Sequence, residues 1–180
     1  MATFTESASM VLAAFRKRDP RRLRKLNDEI LHTAALQFSP SYFNLAIFSY
    51  VLAKIVSKPR LLREEYTDNL RRIEIIFERV SRGARSEEEF LAIFSELGEA
   101  VAALEKEDPR FIVDLVTKGK LKMAATLYAQ GMSLGTASEM TGMEKQEILD
   151  YAGETMMFDR LMVERNVLER MKYARKMIED

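Results

Sequence analysis

Few side chains in this sequence are equipped to make or break bonds. There is no cysteine, which excludes disulfides, thiolate metal sites and cysteine nucleophiles and gives no reason to place the chain in an oxidising compartment. His32 is the single histidine. With Asp28, Glu29 and Leu36 on its helix face, it reads as a surface residue. Glu74 and Glu78 stand one helical turn apart beside Arg71 and Arg82, the pattern of an ion-pair face rather than of an acid/base pair. A di-iron bundle needs two Glu-x-x-His motifs, and the sequence has none. No triad, phosphate-loop or metal spacing occurs. Neither an enzyme nor a cofactor is expected.

The remaining constellations suit recognition. Positions 16–25 hold seven cations, Arg16, Lys17, Arg18, Arg21, Arg22, Arg24 and Lys25, against one acid. Such a cluster fits the phosphates of DNA or RNA. It also fits a solvated face paired with acids elsewhere, since no aromatics interleave it. A second constellation is Ser138, Gly142 and Ile148. A helix-turn-helix needs a small residue where its helices cross, a glycine four residues on for a left-handed turn, and an aliphatic plug six beyond that. Leu134, Ala137, Met143 and Tyr151 fill the remaining core positions. Ser133 can cap the first helix, and Glu147 suits the dipole of the second.

On that second helix Glu144, Lys145, Gln146, Leu149 and Asp150 face outward. In a major groove Lys145 would read guanine, Gln146 adenine, and Glu144 would accept from cytosine. Lys120, Lys122 and Arg160 would reach phosphates. Glu144, Glu147, Asp150 and Glu154 oppose that attraction, because phosphate contacts supply most non-specific affinity.

Proline and glycine mark the elements that must hold these residues. Proline occurs only at 20, 40, 59 and 109. The pairs Asp19-Pro20, Ser39-Pro40 and Asp108-Pro109 read as capped helix starts. Gly83, Gly119, Gly131, Gly142 and Gly153 follow apolar-periodic runs and are expected as left-handed C-caps. The marks divide the chain into about ten helices, at 5–17, 20–38, 40–57, 59–82, 86–107, 109–118, 121–130, 134–141, 145–152 and 154–178. The second carries Leu23, Leu26, Ile30, Ala34 and Phe38 on one stripe. The third is apolar nearly all round and should sit centrally. Ser86, followed by Glu87, Glu88 and Glu89, reads as a capping box. Positions 159–180 carry Leu161, Leu168, Met171 and Ile178, which with Met157 form a near-heptad stripe. Nine of the 11 methionines lie after residue 121, and methionine-rich surfaces adapt to partners. This last helix reads either as a homodimer contact or as the closure of the monomer's own core.

Apolar residues make up 47%, and acids and bases balance at 28 each. Overall charge therefore gives no push toward nucleic acid or membrane. No signal peptide is read at the N-terminus. The apolar run 42–56 is short for a bilayer span and is interrupted by Asn44, Ser49 and Lys54. The expectation is an all-α, cytoplasmic chain with a helical bundle at 1–118, a helix-turn-helix module at 119–158 and a docking or dimerising helix at 159–180. The boundary is expected at Lys118-Gly119-Lys120.

The run 124–142, with Leu127-Tyr128, Gly131, Ser133-Leu134-Gly135 and Ala137-Ser138-Glu139-Met140-Thr141-Gly142, resembles a family of predicted helix-turn-helix proteins. That family is common in archaea and also found in bacteria. Glu147-Ile148-Leu149-Asp150-Tyr151-Ala152-Gly153 is similar to the same group. The resemblance covers about a fifth of the chain. It implies double-stranded DNA as partner and a role in transcription regulation, and some such proteins are thought to be antitoxins of nuclease toxins. Two functions follow as expectations: a DNA-binding regulator, or an antitoxin-like adaptor that binds another protein.

Overall fold

The computed structural model describes residues 2–37, 39–106 and 114–157. The protein is all-α, with eight α-helices and no strand among the described residues. It divides into two compact units, residues 1–123 and 124–180.

The first unit is a bundle whose helix starts are written into side-chain caps. α1 (Phe4–Arg16) opens with a capping box. The Thr3 hydroxyl accepts from the Glu6 N–H at 3.3 Å, and the Glu6 carboxylate accepts from the Thr3 N–H at 2.7 Å. α2 (Pro20–Gln37) opens on Asp19, whose carboxylate accepts from the N–H groups of Arg21 and Arg22 at 3.0 and 2.9 Å. α3 (Pro40–Val56) opens on Ser39, which accepts from the Tyr42 N–H at 3.4 Å. Asp19 and Ser39 act as their proline pairs predict. The third pair, Asp108-Pro109, lies outside the described residues, as does Phe38.

α3 buries almost its whole circumference, as its composition requires. Phe43, Leu45, Ile47, Phe48, Leu52 and Ile55 are all at most 2% exposed. Each such side chain contributes on the order of 2 kcal/mol of burial. α2 packs along α3. α4 (Thr67–Arg82) packs between α1 and α5 (Glu87–Lys106) and buries Leu70, Ile73, Phe77 and Val80. Phe48 stacks on Phe94 with ring centroids 5.5 Å apart. The start of α5 is held by Ser86, which accepts from the Glu89 N–H at 3.2 Å. Glu87 reaches across to accept from the Ser41 N–H at 2.8 Å, tying this helix start to that of α3.

Three expectations are corrected. The segment 59–82 is not one helix: two 3₁₀ turns, Pro59–Leu62 and Glu64–Tyr66, precede α4. Arg63 between them is extended (φ −72°, ψ 161°), and the tight turns drive Leu61 and Tyr66 inward, at 0% and 8% exposed. Gly119 is neither a cap nor a boundary, because α6 (Leu115–Ala129) runs through it. An added Cβ there would sit 3.1 Å from the Ile47 methyl, so the glycine serves close approach of the backbone to α3. The division between units falls after Met123. Gly153 lies inside α8 (Lys145–Glu154), which ends at Thr155, and Met156 takes the left-handed turn at φ 48°.

Glu105 is buried near the end of α5 and accepts from the Leu115 N–H at 2.8 Å, so it anchors the start of α6. Burial pushes its carboxyl above the ordinary carboxylate value.

No helix among the described residues is long and apolar enough to cross a membrane.

Candidate recognition surfaces

In the second unit two short helices, α7 (Leu134–Thr141) and α8, are joined by a turn at residues 142–144. Gly131, at φ 105°, ends α6, and the Ser133 hydroxyl accepts from the Thr136 N–H at 3.1 Å to open α7. Gly142 then takes the left-handed conformation (φ 67°, ψ 18°) and donates its N–H to the Ser138 carbonyl at 2.8 Å. A Cβ at Gly142 would touch nothing within 4 Å. The backbone angle, not space, is what requires glycine there.

The Ser138 hydroxyl donates to the Met143 carbonyl at 2.7 Å. Thr141 works the same corner from the other side. Its hydroxyl donates to the Ala137 carbonyl at 2.8 Å and accepts from the Met143 N–H at 3.2 Å. Ile148 and Ala137 are fully buried, and Ala152 is 1% exposed. Gly142 therefore forms the left-handed turn, with Ser138 bonded across it and Ile148 buried behind it. The role of Thr141 was not legible, since a threonine ending a helix carries no signal of its own.

Glu144, Lys145, Gln146, Leu149 and Asp150 are all exposed on α8. The Gln146 amide donates to Asp150 at 2.8 Å, which ties up the candidate adenine reader. The Glu147 carboxylate accepts from the Glu144 N–H at 3.3 Å. Across residues 124–157, Glu139, Glu144, Glu147, Asp150 and Glu154 are exposed against the single cation Lys145. Five carboxylates and one ammonium leave four net negative charges on this stretch. Leu149 is a large apolar side chain, 37% exposed, set among them.

The basic cluster forms the corner between α1 and α2 in the first unit. Its members do not act alike. Arg16 donates to both Glu74 and Glu78, and the Glu74 bond leads the causes that raise its pKa further. Its guanidinium is thus a structural clamp, which corrects its placement among the phosphate contacts. Glu74 and Glu78 form an ion-pair face as expected, with Arg82 on Glu78 at 3.4 Å, but Arg16 takes the place foreseen for Arg71. Lys25 lies 3.9 Å from Glu29, and Arg22 approaches the Met10 sulfur at 3.9 Å. Lys17, Arg21 and Arg24 are exposed and have no acid partner among the described residues.

Arg18 has the unexpected backbone. Its φ is 53°, and it sits just past the end of α1 where glycine usually stands. Its N–H donates to the Phe15 carbonyl at 2.9 Å, and the Asp19 N–H donates to the Ala14 carbonyl at 3.0 Å. The guanidinium lies over the Phe15 ring, 4.8 Å from its centroid. Nothing in the sequence signalled this, because the usual marker of such a turn is glycine or asparagine.

Lys122 is half-buried in α6, with its ammonium 4.5 Å from the Tyr50 ring centre. Its ammonium is thereby engaged by an aromatic ring of the first unit. Lys120 is half-buried as well. His32 is exposed, as read. Arg160 and the stripe from Leu161 to Ile178 lie outside the described residues, while Met157 is buried with the Thr126 hydroxyl 4.0 Å from its sulfur. Among the described residues no group of three or more histidine, aspartate or glutamate side chains is gathered to hold a metal ion. Compared with protein-family models, with curated proteins and with solved structures, the chain matches none.

Proposed function

We propose that this protein is an adaptor whose helix-turn-helix unit docks onto another protein, of basic surface, rather than reading duplex DNA. The observation that supports this reading is the charge of α8 and its surroundings: five exposed carboxylates against Lys145. Each carboxylate brought within about 4 Å of a phosphate costs about 1 kcal/mol even at the dielectric of water. Lys145 alone cannot offset several such approaches. Leu149, exposed among the acids, supplies the apolar centre that a protein contact uses and a phosphate contact does not.

The second reading, a DNA-binding regulator, draws support from the exposed cations Lys17, Arg21 and Arg24 at the α1–α2 corner. The two readings separate by experiment. The full chain is titrated with duplex DNA across a salt series while α8 amide signals are followed. The adaptor reading expects those signals to stay unmoved, and expects Glu144→Lys, Glu147→Lys and Asp150→Lys together to create duplex affinity. It also expects a co-purifying basic protein to be lost on Leu149→Asp. A wild-type α8 that shifts on DNA addition, with a steep salt slope, overturns it in favour of the regulator.

A further inference from the structure

The first unit holds a recess of about 420 Å³ lined by Arg18, Thr67, Arg71, Glu74, Ile75 and Glu78. Both of its acids are already bonded to Arg16. Neither Arg71 nor Arg18 has an acid partner among the described residues, and the Arg18 guanidinium lies over the face of Phe15. The lining itself balances two guanidiniums with two carboxylates, and both carboxylates are bonded to guanidiniums outside it, Arg16 on each and Arg82 on Glu78. The two arginines lining the recess are the ones that the acids do not hold. Thr67 opens α4, no side chain caps that helix N-terminus, and Asp68 in the first turn meets the helix dipole. Ile75, 54% exposed, supplies an apolar wall.

The backbone of Arg18 fixes where its side chain starts. At φ 53° it occupies a conformation that glycine adopts freely and that is costly for a residue with a side chain. Strain of this kind clusters where a side chain is needed in one place. Here the strained turn places Arg18 on the wall of the recess, with its guanidinium over the Phe15 ring.

We infer that this recess binds a phosphate ester, with Arg18 and Arg71 on the oxyanion, the Thr67 hydroxyl as a further donor and Ile75 against the organic part. Arginine presents its donors in a planar fork suited to phosphate oxygens. The volume holds a phosphate group together with part of what it esterifies. The ester is either a free small molecule or a nucleic-acid backbone phosphate; the chemistry at the oxyanion is the same. This inference does not depend on the reading of the second unit.

The test titrates the full-length chain with inorganic phosphate and, separately, with a 12-nucleotide single strand. The variants are Arg18→Gly, Arg71→Ala and Arg72→Ala, the last an exposed arginine of α4 outside the recess. Binding is expected in the wild type and in Arg72→Ala, and is expected to weaken at least tenfold in Arg18→Gly and Arg71→Ala. Arg18→Gly should melt no lower than wild type, so its loss of binding cannot be put down to unfolding. Saturation by inorganic phosphate assigns a small ester; binding of the oligonucleotide alone, with the same arginine dependence, assigns a backbone phosphate. No binding of either probe, or binding that Arg18→Gly and Arg71→Ala leave intact or Arg72→Ala weakens equally, overturns the inference.

Discussion

The α1–α2 corner and the α7–α8 corner use the same backbone device with opposite chemistry. Each ends a helix with one left-handed residue and restarts another within three positions. At the α7–α8 corner that residue is Gly142, at no steric cost. At the α1–α2 corner it is Arg18, against the ordinary preference. The glycine corner is surrounded by carboxylates and the arginine corner by cations. The difference teaches that the turn alone does not identify a binding surface. The glycine turn only has to join two short helices, whereas the arginine turn holds a side chain in a conformation that disfavours one.

The largest expected effect tests whether the α7–α8 corner is held by its plug. Ile148→Ala should destabilise the second unit by about 3 kcal/mol and leave the first unit's transition unchanged, read by urea unfolding with amide probes in each unit. A single merged transition would break the two-unit division.

The two left-handed residues form the next pair. Gly142→Ala should cost about 1 kcal/mol or more, while Arg18→Gly should cost nothing or stabilise slightly. Melting curves that move both variants the same way would show that the corners are not alternative solutions to one backbone problem. Ser138→Ala removes the bond to the Met143 carbonyl and should cost about 1 kcal/mol.

The smallest effect concerns Glu105. Burial raises its carboxyl above the ordinary 4.5 even though the Leu115 N–H opposes the shift. The folded chain thus holds that proton more tightly than the unfolded one. Its contribution to stability falls as pH climbs from 4.5 through the raised folded value and is least favourable at neutral pH. Glu105→Gln keeps an acceptor for Leu115, so neutral stability should rise slightly and that pH slope should flatten. Glu105→Ala, which leaves the N–H without its acceptor, should not show the rise. Urea midpoints at a series of pH values decide it.

The sequence was most legible where a residue type has one dominant use. Asp19, Ser39 and Ser133 cap helices, Gly142 turns left-handed, and Ile148 is buried, because each follows from local sterics or hydrogen bonding. It was least legible where the decision was made by a distant partner. Gly119 resembles a boundary until Ile47 is seen beside it. Arg16 resembles a phosphate contact until Glu74 and Glu78 close on it. Lys122 resembles a surface lysine until the Tyr50 ring is found against it. The recess at Arg18 and Arg71 was invisible for the same reason, since its walls come from segments about fifty residues apart.

The bond from the Ser41 N–H to Glu87 couples two points 46 positions apart. An amide in the first turn of a helix ordinarily trades its hydrogen with solvent at once. This one is held by an exposed carboxylate on a different helix, so it exchanges whenever Glu87 swings aside or α5 moves. The deuterium uptake of that single proton, set against the same proton in Glu87→Ala, therefore times how long the tie between the two helix starts stays closed.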